Sequence, residues 1–236
     1  MRYTAVAEID SDPATVTAYM KRFLPTFFLI MIVLAIYPFV SNDNAPKKPI
    51  TGLPWQIEKL ADGSTRVFGI ELGKSTLADA VSSLGDDAEI AIMQDKDGND
   101  SLEMYFGSYR AGLLSGKLVL LGDIDSDTLV AMRERAASRE IMESTARKFV
   151  VNDSDRPLAY RARVKHIAFI PTVNLDEDII SKRFGKAAET VQADADVKHF
   201  LYPALGLDIA LSEKGKEVLQ YVAPADFEVL VAPLRK

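Results

Sequence analysis

The sequence predicts an α+β protein in which one N-terminal transmembrane helix is followed by an extracytoplasmic body of two helix-plus-antiparallel-sheet repeats. Residues 23–40 form an uncharged apolar run in a chain of 236 residues whose overall composition is that of a globular protein. Short alternating segments bounded by turn residues follow the apolar run and indicate strands. Short amphipathic segments that end at glycine indicate helices among the strands.

Composition and charge exclude several classes of function. The chain has 28 Lys+Arg against 34 Asp+Glu, a net charge of −6, so we expect no nucleic-acid partner. It has no cysteine, which excludes disulfides, thiolate metal sites and cysteine nucleophiles. We also predict no cofactor and no resident metal.

The apolar run FLPTFFLIMIVLAIYPFV at residues 23–40 predicts the membrane helix. Eighteen residues of helix rise about 27 Å, close to the ~30 Å thickness of the hydrocarbon core. A cleaved signal peptide is the alternative, but its apolar region is normally shorter and ends at a small-residue cleavage site, which the sequence after residue 40 lacks. The side chains predicted to face lipid are Phe23, Phe27, Phe28, Leu29, Ile30, Ile32, Val33, Leu34, Ile36 and Phe39.

The charges beside the apolar run predict its orientation. Lys21 and Arg22 directly precede it, which favours an N-terminus in the cytoplasm and a body outside the cell membrane. The predicted location is the inner membrane, single-pass, with the body in the periplasm. Residues 1–22 are then a cytoplasmic tail, and the polar, Pro/Gly-containing residues 41–54 are a linker.

The body is predicted in three parts: repeat 1 over 55–124, a connecting helix within 125–157, and repeat 2 with a C-terminal strand over 158–236. A hairpin is predicted around Asp62-Gly63 and another around Asp97-Gly98. The predicted helices cover residues 75–84, 127–149 and 175–184. The other predicted strands cover residues 89–94, 101–106, 113–121, 158–170, 197–202, 207–211 and 217–222.

The second half carries a pattern that resembles a known family. Its segments LDEDIISKRFGKAAE and VKHFLYPALGLDIALSEKGKEVLQYV resemble the small helix-plus-sheet module of the BamE-like (SmpA/OmlA) outer-membrane lipoproteins. In tandem form the layout is also similar to the beta-lactamase-inhibitor-protein fold. The chain departs from the lipoproteins because it has no cysteine for a lipid anchor. The resemblance implies a role in binding or scaffolding.

Three motifs that imitate functional sites have simpler explanations. Residues 69–75 resemble a phosphate-binding loop, but only three residues separate its glycines where four are needed, so we expect a turn and a helix cap at Ser75. Residues 95–100 lack the spacing of a calcium loop and predict a hairpin turn. Asp123, Asp125 and Asp127 are expected to cap the start of a helix.

These observations favour a membrane-anchored periplasmic protein without enzymatic activity, acting as a binding or scaffold protein in envelope assembly or as an accessory subunit of an inner-membrane complex. Its predicted partners are other membrane or envelope proteins, and the lipid bilayer through residues 23–40. The residues expected to contact a partner are Tyr105, Phe106, Phe200, Tyr202 and Leu207.

Two alternatives remain open. The first is a sensor or ligand-binding domain that holds a lipid or cell-wall fragment between sheet and helix, which requires a roomy apolar pocket. The second is a hydrolase with an irregular site built from Asp123, Asp125 and His166, which requires those groups to lie within hydrogen-bonding reach.

Overall fold

The computed structural model describes residues 50–142 and 145–235, and it is dominated by β-strands. Three short strands form a small antiparallel sheet: β1 (Glu58–Lys59), β2 (Thr65–Val67) and β3 (Ile70–Glu71). The remaining strands form the main sheet: β4 (Glu89–Gln94), β5 (Asp100–Ala111), β6 (Leu114–Asp123), β7 (Ser138–Ile141), β8 (Arg147–Val150), β9 (Arg163–Pro171), β10 (Glu189–Gln192), β11 (Val197–Tyr202), β12 (Leu207–Ser212) and β13 (Val218–Val222). Five short α-helices complete the described chain: α1 (Leu77–Leu84), α2 (Ser126–Glu134), α3 (Arg156–Arg161), α4 (Glu177–Phe184) and α5 (Glu228–Val231).

The main sheet has ten strands in the order β10-β11-β12-β13-β9-β6-β5-β4-β8-β7, and every neighbouring pair is antiparallel. In each half a short helix precedes an antiparallel meander: α1 comes before β4-β5-β6, and α4 comes before β10-β11-β12-β13. Strand β9 lies between the two meanders and pairs with both β6 and β13. The family assignment and the repeat itself stay predictions.

One face of the main sheet, which we call the helix face, carries the larger apolar core. Helices α1, α2, α3 and α4 each bury at least one side chain there, for example Leu77, Met132 and Ile180. Strand residues such as Ile92 and Leu120 meet them from the sheet and are fully buried. Because side chains alternate along a strand, alternate residues of the central strands belong to this core, such as Leu102, Met104 and Phe106 of β5.

The opposite face, which we call the outer face, is covered in part by the C-terminal segment 224–235. Phe227 and Val231 pack there against Leu201 of β11 and Val222 of β13. These four side chains form a second, smaller core. The rest of the outer face carries no helix among the described residues.

Several local predictions are confirmed. The Asp62-Gly63 hairpin pairs β1 with β2, and the turn at residues 95–99 joins β4 to β5. Strands 89–94 and 197–202 have the predicted bounds. Asp125 caps α2, because its carboxylate accepts a hydrogen bond from the backbone N–H of Thr128 at 2.9 Å. Helix α1 is capped by Thr76 rather than Ser75, in a reciprocal arrangement with Asp79.

The predicted fold class is wrong, because the described chain is mostly β and its helices are short. The largest local error is the predicted helix over residues 127–149. Helix α2 ends at Glu134, and the chain then forms the β7–β8 hairpin at the edge of the main sheet. Strand β8 pairs with β4, and Phe149 lies opposite Ile92 and packs against the larger core. Edge pairing and burial of Phe149 therefore override the helical pattern of the sequence.

A second error concerns residues 158–170, which were predicted as one strand. Pro157 lies at the start of helix α3, where a proline is tolerated, and the strand begins only at Arg163. The predicted connecting helix within 125–157 is therefore two short helices separated by a hairpin.

The membrane predictions are also corrected. No helix within residues 50–142 and 145–235 is long and apolar enough to cross a bilayer. The predicted span 23–40 and its lipid-facing side chains from Phe23 to Phe39 lie outside the described residues, as do the tail 1–22 and linker residues 41–49. On this finding the single-pass fold class and the inner-membrane location are withdrawn.

The end of the predicted linker is part of the folded body. The hydroxyl of Tyr109 donates to the carbonyl of Gly52 at 2.8 Å, and the fully buried Tyr221 donates to the carbonyl of Pro54 at 3.0 Å. Trp55 then packs edge-on against Phe184 of α4, with ring centroids 6.4 Å apart. Residues 50–55 are therefore fixed against the helix face.

Gly116 of β6 provides a test of the junction between the two halves of the sheet. A Cβ atom at this position would lie 2.5 Å from the carbonyl oxygen of Ile170 and in collision with the Phe169 ring. We expect Gly116→Ala to lower the free energy of unfolding by about 1–3 kcal/mol, measured by urea denaturation.

Gly107→Ala is the matched control for this experiment. The nearest atoms to a Cβ at Gly107 belong to the Tyr105 side chain at 3.5 Å, which is an ordinary contact. This substitution should change the free energy of unfolding by no more than about 0.5 kcal/mol. Equal effects of the two substitutions would contradict the close approach of β6 and β9.

Candidate functional site

Four of the five predicted partner-contact residues are part of the protein interior. Phe106 and Leu207 are 3% and 0% exposed, and both belong to the larger core. Phe200 and Tyr202 are also buried there and reach the surface only as part of the lining of a small cleft beside α4. Tyr105 alone lies on the outer face and is half-buried. The predicted set is therefore not one exposed surface.

The three groups of the predicted hydrolase site do not meet. Asp123 faces Lys165 at 3.8 Å on the surface, and the carboxylate of Asp125 is occupied by the backbone and hydroxyl of Thr128. No hydrogen bond joins either aspartate to His166 in the described part of the chain, where the His166 Nε2 atom is buried without a partner. The hydrolase alternative is not supported.

A buried polar network lies on the outer face near the C-terminal end of the chain. His199 Nδ1 lies 2.9 Å from Asp208 Oδ2, and the Gln220 amide donates to the same carboxylate at 3.3 Å. Asp208 is fully buried and His199 is 8% exposed. No serine or threonine hydroxyl of the described residues bonds to this histidine, so the network satisfies buried polar groups and lacks a nucleophile.

The described residues also contain no metal centre. No three His, Asp or Glu side chains within 50–142 and 145–235 gather closely enough to hold an ion. The enclosed cavity under Trp55 and Phe184 has a volume of only about 10 Å³, which is too small for a lipid or cell-wall fragment. The cleft beside α4, which lies between that helix and strands β10 and β11, has a volume of about 250 Å³. The ligand-binding alternative therefore stays a prediction.

Exposed apolar side chains gather instead at one end of the main sheet, around the turn between β5 and β6. We call this surface the apolar end and define it by Ile50, Leu113, Val173 and Ile179. Their exposures are 51%, 103%, 49% and 36%. Such a concentration of large apolar side chains in solvent is uncommon on a soluble surface unless it is covered by another molecule.

The apolar end is built by three adjacent segments. Gly112 allows the tight turn with a positive φ of 62°, and Ile50 packs so closely against it that a Cβ would lie 2.9 Å from Ile50 Cδ1. Leu113, the next residue, lies at the tip of the turn, and its side chain projects into solvent. The turn is fixed to the chain after β9, because the backbone N–H of Thr172 donates to the carbonyl of Ser115 at 2.9 Å.

A groove of about 530 Å³ continues from the apolar end along helix α4. Trp55, Leu114 and Leu175 form much of its apolar lining, together with Val173 and Ile179. Its polar edge is cationic, because Lys182 and Arg183 of α4 line it. The guanidinium of Arg183 lies 4.5 Å above the Trp55 ring, so this cation is held in place against an aromatic surface.

A second concavity lies on the outer face, where β4, β5 and β8 run side by side. Its volume is about 320 Å³, and we call it the outer cavity. Its lining consists of Glu89, Ala91, Met93, Glu103, Tyr105, Met142 and Lys148. Of these residues, only Tyr105 was predicted from the sequence to contact a partner.

The sequence carries a weak signal for the apolar end and none for the outer cavity. A hairpin turn normally carries polar residues, so Leu113 after Gly112 is an unusual choice for a two-residue turn. The outer cavity has no local motif, because its residues come from three strands whose register only the folded sheet defines.

Comparison with known proteins identifies no relative of this chain. No protein-family model matches the chain, and neither the curated proteins nor the solved structures provide a match.

His166 gives a prediction about stability in acid. Burial, with a smaller contribution from the positive charge of Lys165, lowers the pKa of His166 from 6.5 to about 4. Between these values the unfolded chain takes up a proton that the folded protein does not, so the free energy of unfolding falls as the pH falls from 6.5 to 4. The contribution of this one group over that window is roughly 3 kcal/mol.

We expect His166→Leu to remove this contribution, since the neighbouring residues across the sheet, Leu121 and Val222, are apolar. Urea denaturation at a series of pH values should show the variant gaining stability relative to the original protein as the pH drops from 6.5 to 4. All other titrating groups are common to both proteins, so their contributions cancel in the difference between the two free energies of unfolding. A constant difference across the pH range would contradict burial of a neutral His166.

Proposed function

We propose that this protein is a non-enzymatic binding or scaffold protein whose apolar end docks onto another protein. The observation that carries the proposal is the exposure of Leu113 at the tip of the β5–β6 turn beside Ile50 and Val173. Burying such side chains against a partner gains about 25 cal/mol for each Å² of apolar surface removed from water.

The described surface also suggests the chemistry of the partner. The groove beside the apolar end has an apolar floor and the cations Lys182 and Arg183 at its edge. A complementary partner presents apolar side chains together with a carboxylate, because the charges then attract while the apolar surfaces are buried. Arg183, already stacked on Trp55, loses little conformational freedom when it pairs with that carboxylate.

The rigidity of the apolar end supports a binding role. Residues 50–55 are held by the hydroxyls of Tyr109 and Tyr221, and the turn at Gly112 is held against Ile50. A surface that is ordered before binding costs less free energy to immobilise in a complex.

The test is site-specific crosslinking in intact cells, with a photoreactive residue placed at Leu113 in one variant and at Val229 in another. Val229 is a matched control, because it is 70% exposed but lies in α5 at the C-terminal segment. We expect a discrete crosslinked partner from position 113 and none, or a different one, from position 229. Identical products from both positions would contradict a specific role for the apolar end.

Once the crosslinked partner is purified, Leu113→Asp should weaken its binding at least tenfold, which corresponds to about 1.4 kcal/mol. The new carboxylate would be buried against apolar surface and would also face a partner that is acidic. Val229→Asp should leave the dissociation constant within about twofold. An unchanged affinity of Leu113→Asp, measured by isothermal titration calorimetry, would contradict the proposal.

A further inference from the structure

The outer cavity is separate from the apolar end and is large enough for a small ligand. Ala91, Met93, Tyr105 and Met142 give it an apolar lining, and its volume of about 320 Å³ is at the lower end of the range for small-molecule pockets. Strands β4 and β5 form its base: Ala91 lies opposite Glu103, and Glu89 opposite Tyr105. These strands belong to the ten-stranded sheet, so most of the lining is held by paired backbone.

The charges in the outer cavity do not balance. Lys148 Nζ lies 2.5 Å from Glu89 Oε2, and these two charges compensate each other. Glu103 accepts a hydrogen bond from the hydroxyl of Ser101 at 2.8 Å, and it forms no ion pair with any residue that the structure describes. One carboxylate in a largely apolar cavity is therefore without a cation from the described residues.

The environment makes this carboxylate costly to keep ionised. Burial raises the pKa of Glu103, because removal from water disfavours the charged form and the bond from Ser101 offsets this only in part. A positively charged ligand would reverse that cost, since an adjacent cation stabilises the ionised carboxylate. Tyr105 also lines the cavity, and an aromatic ring attracts a cation that lies over its face.

We propose that the outer cavity binds a small organic cation, an ammonium group carried on a short apolar chain, with Glu103 as its counter-ion. The apolar part lies against Met93, Ala91 and Met142, and the ammonium donates to the Glu103 carboxylate beside Tyr105. The Glu89–Lys148 ion pair at the cavity stays intact and contributes a polar border. This site is independent of the proposed docking at the apolar end, and either proposal can fail without the other.

The test compares three ligands of equal chain length, hexylammonium, hexanol and hexanoate, by isothermal titration calorimetry with the full chain. We expect hexylammonium to bind at least tenfold more tightly than hexanol, and hexanoate to bind most weakly. Binding should shift the backbone amide signals of residues 89–93 and 103–105 in a nuclear magnetic resonance titration. Equal affinities for the three ligands, no measurable binding of hexylammonium, or shifts confined to other residues would overturn the proposal.

Two variants separate charge recognition from filling of space. Glu103→Gln keeps the shape of the side chain but removes its charge, so it should weaken hexylammonium at least tenfold and leave hexanol within about twofold. Met93→Trp should fill the cavity and weaken both ligands. Glu213→Gln, an exposed glutamate outside the cavity, should alter neither affinity and serves as the control.

Thermal unfolding of each variant verifies that it is folded before its affinity is interpreted. If Glu103→Gln is folded and binds hexylammonium as tightly as the original protein does, Glu103 is not the counter-ion and the proposal is wrong. A loss of hexylammonium affinity equal to the loss of hexanol affinity would also overturn it, because the cavity would then recognise only apolar volume.

Discussion

The pairing of β6 with β9 is the interaction on which the rest of the structure depends. It joins the β4-β5-β6 meander to strands from the second half of the chain, so that ten strands form one continuous sheet. The contact is close enough that Gly116 leaves no room for a side chain beside Phe169 and Ile170. Once the register of these two strands is set, the alternation of side chains along each remaining strand determines which of them face the helices and which face outward.

Both candidate surfaces follow from this arrangement. The helices bury one face of the sheet, and the C-terminal segment around Phe227 covers part of the other, which leaves the outer cavity over β4 and β5. The long β5–β6 hairpin extends to the turn at Gly112 and carries Leu113 into solvent. The two surfaces thus follow from one sheet, yet they differ in chemistry. The groove beside the first has a cationic edge, and the second contains a carboxylate that forms no ion pair with the described residues.

The sequence predicted local structure well where a local interaction determines it. The turns at Asp62-Gly63 and Asp97-Gly98 and the cap at Asp125 each depend on residues within a few positions of one another. The segment 127–149 was misassigned because its pairing partner, β4, lies far away in the sequence. The burial of most predicted contact residues has a related reason: the apolar character of Phe106 is equally compatible with either face, and only the sheet register assigns it to the core.

Hydrogen–deuterium exchange on the complex with the crosslinked partner shows whether the apolar end is a protein-binding surface. We expect amide exchange to slow in the β5–β6 turn at residues 112–114 and in residues 173–175, while exchange in α5 is unchanged. Slower exchange confined to the C-terminal segment or to the β7–β8 hairpin, with the turn at Gly112 unaffected, would contradict this binding role.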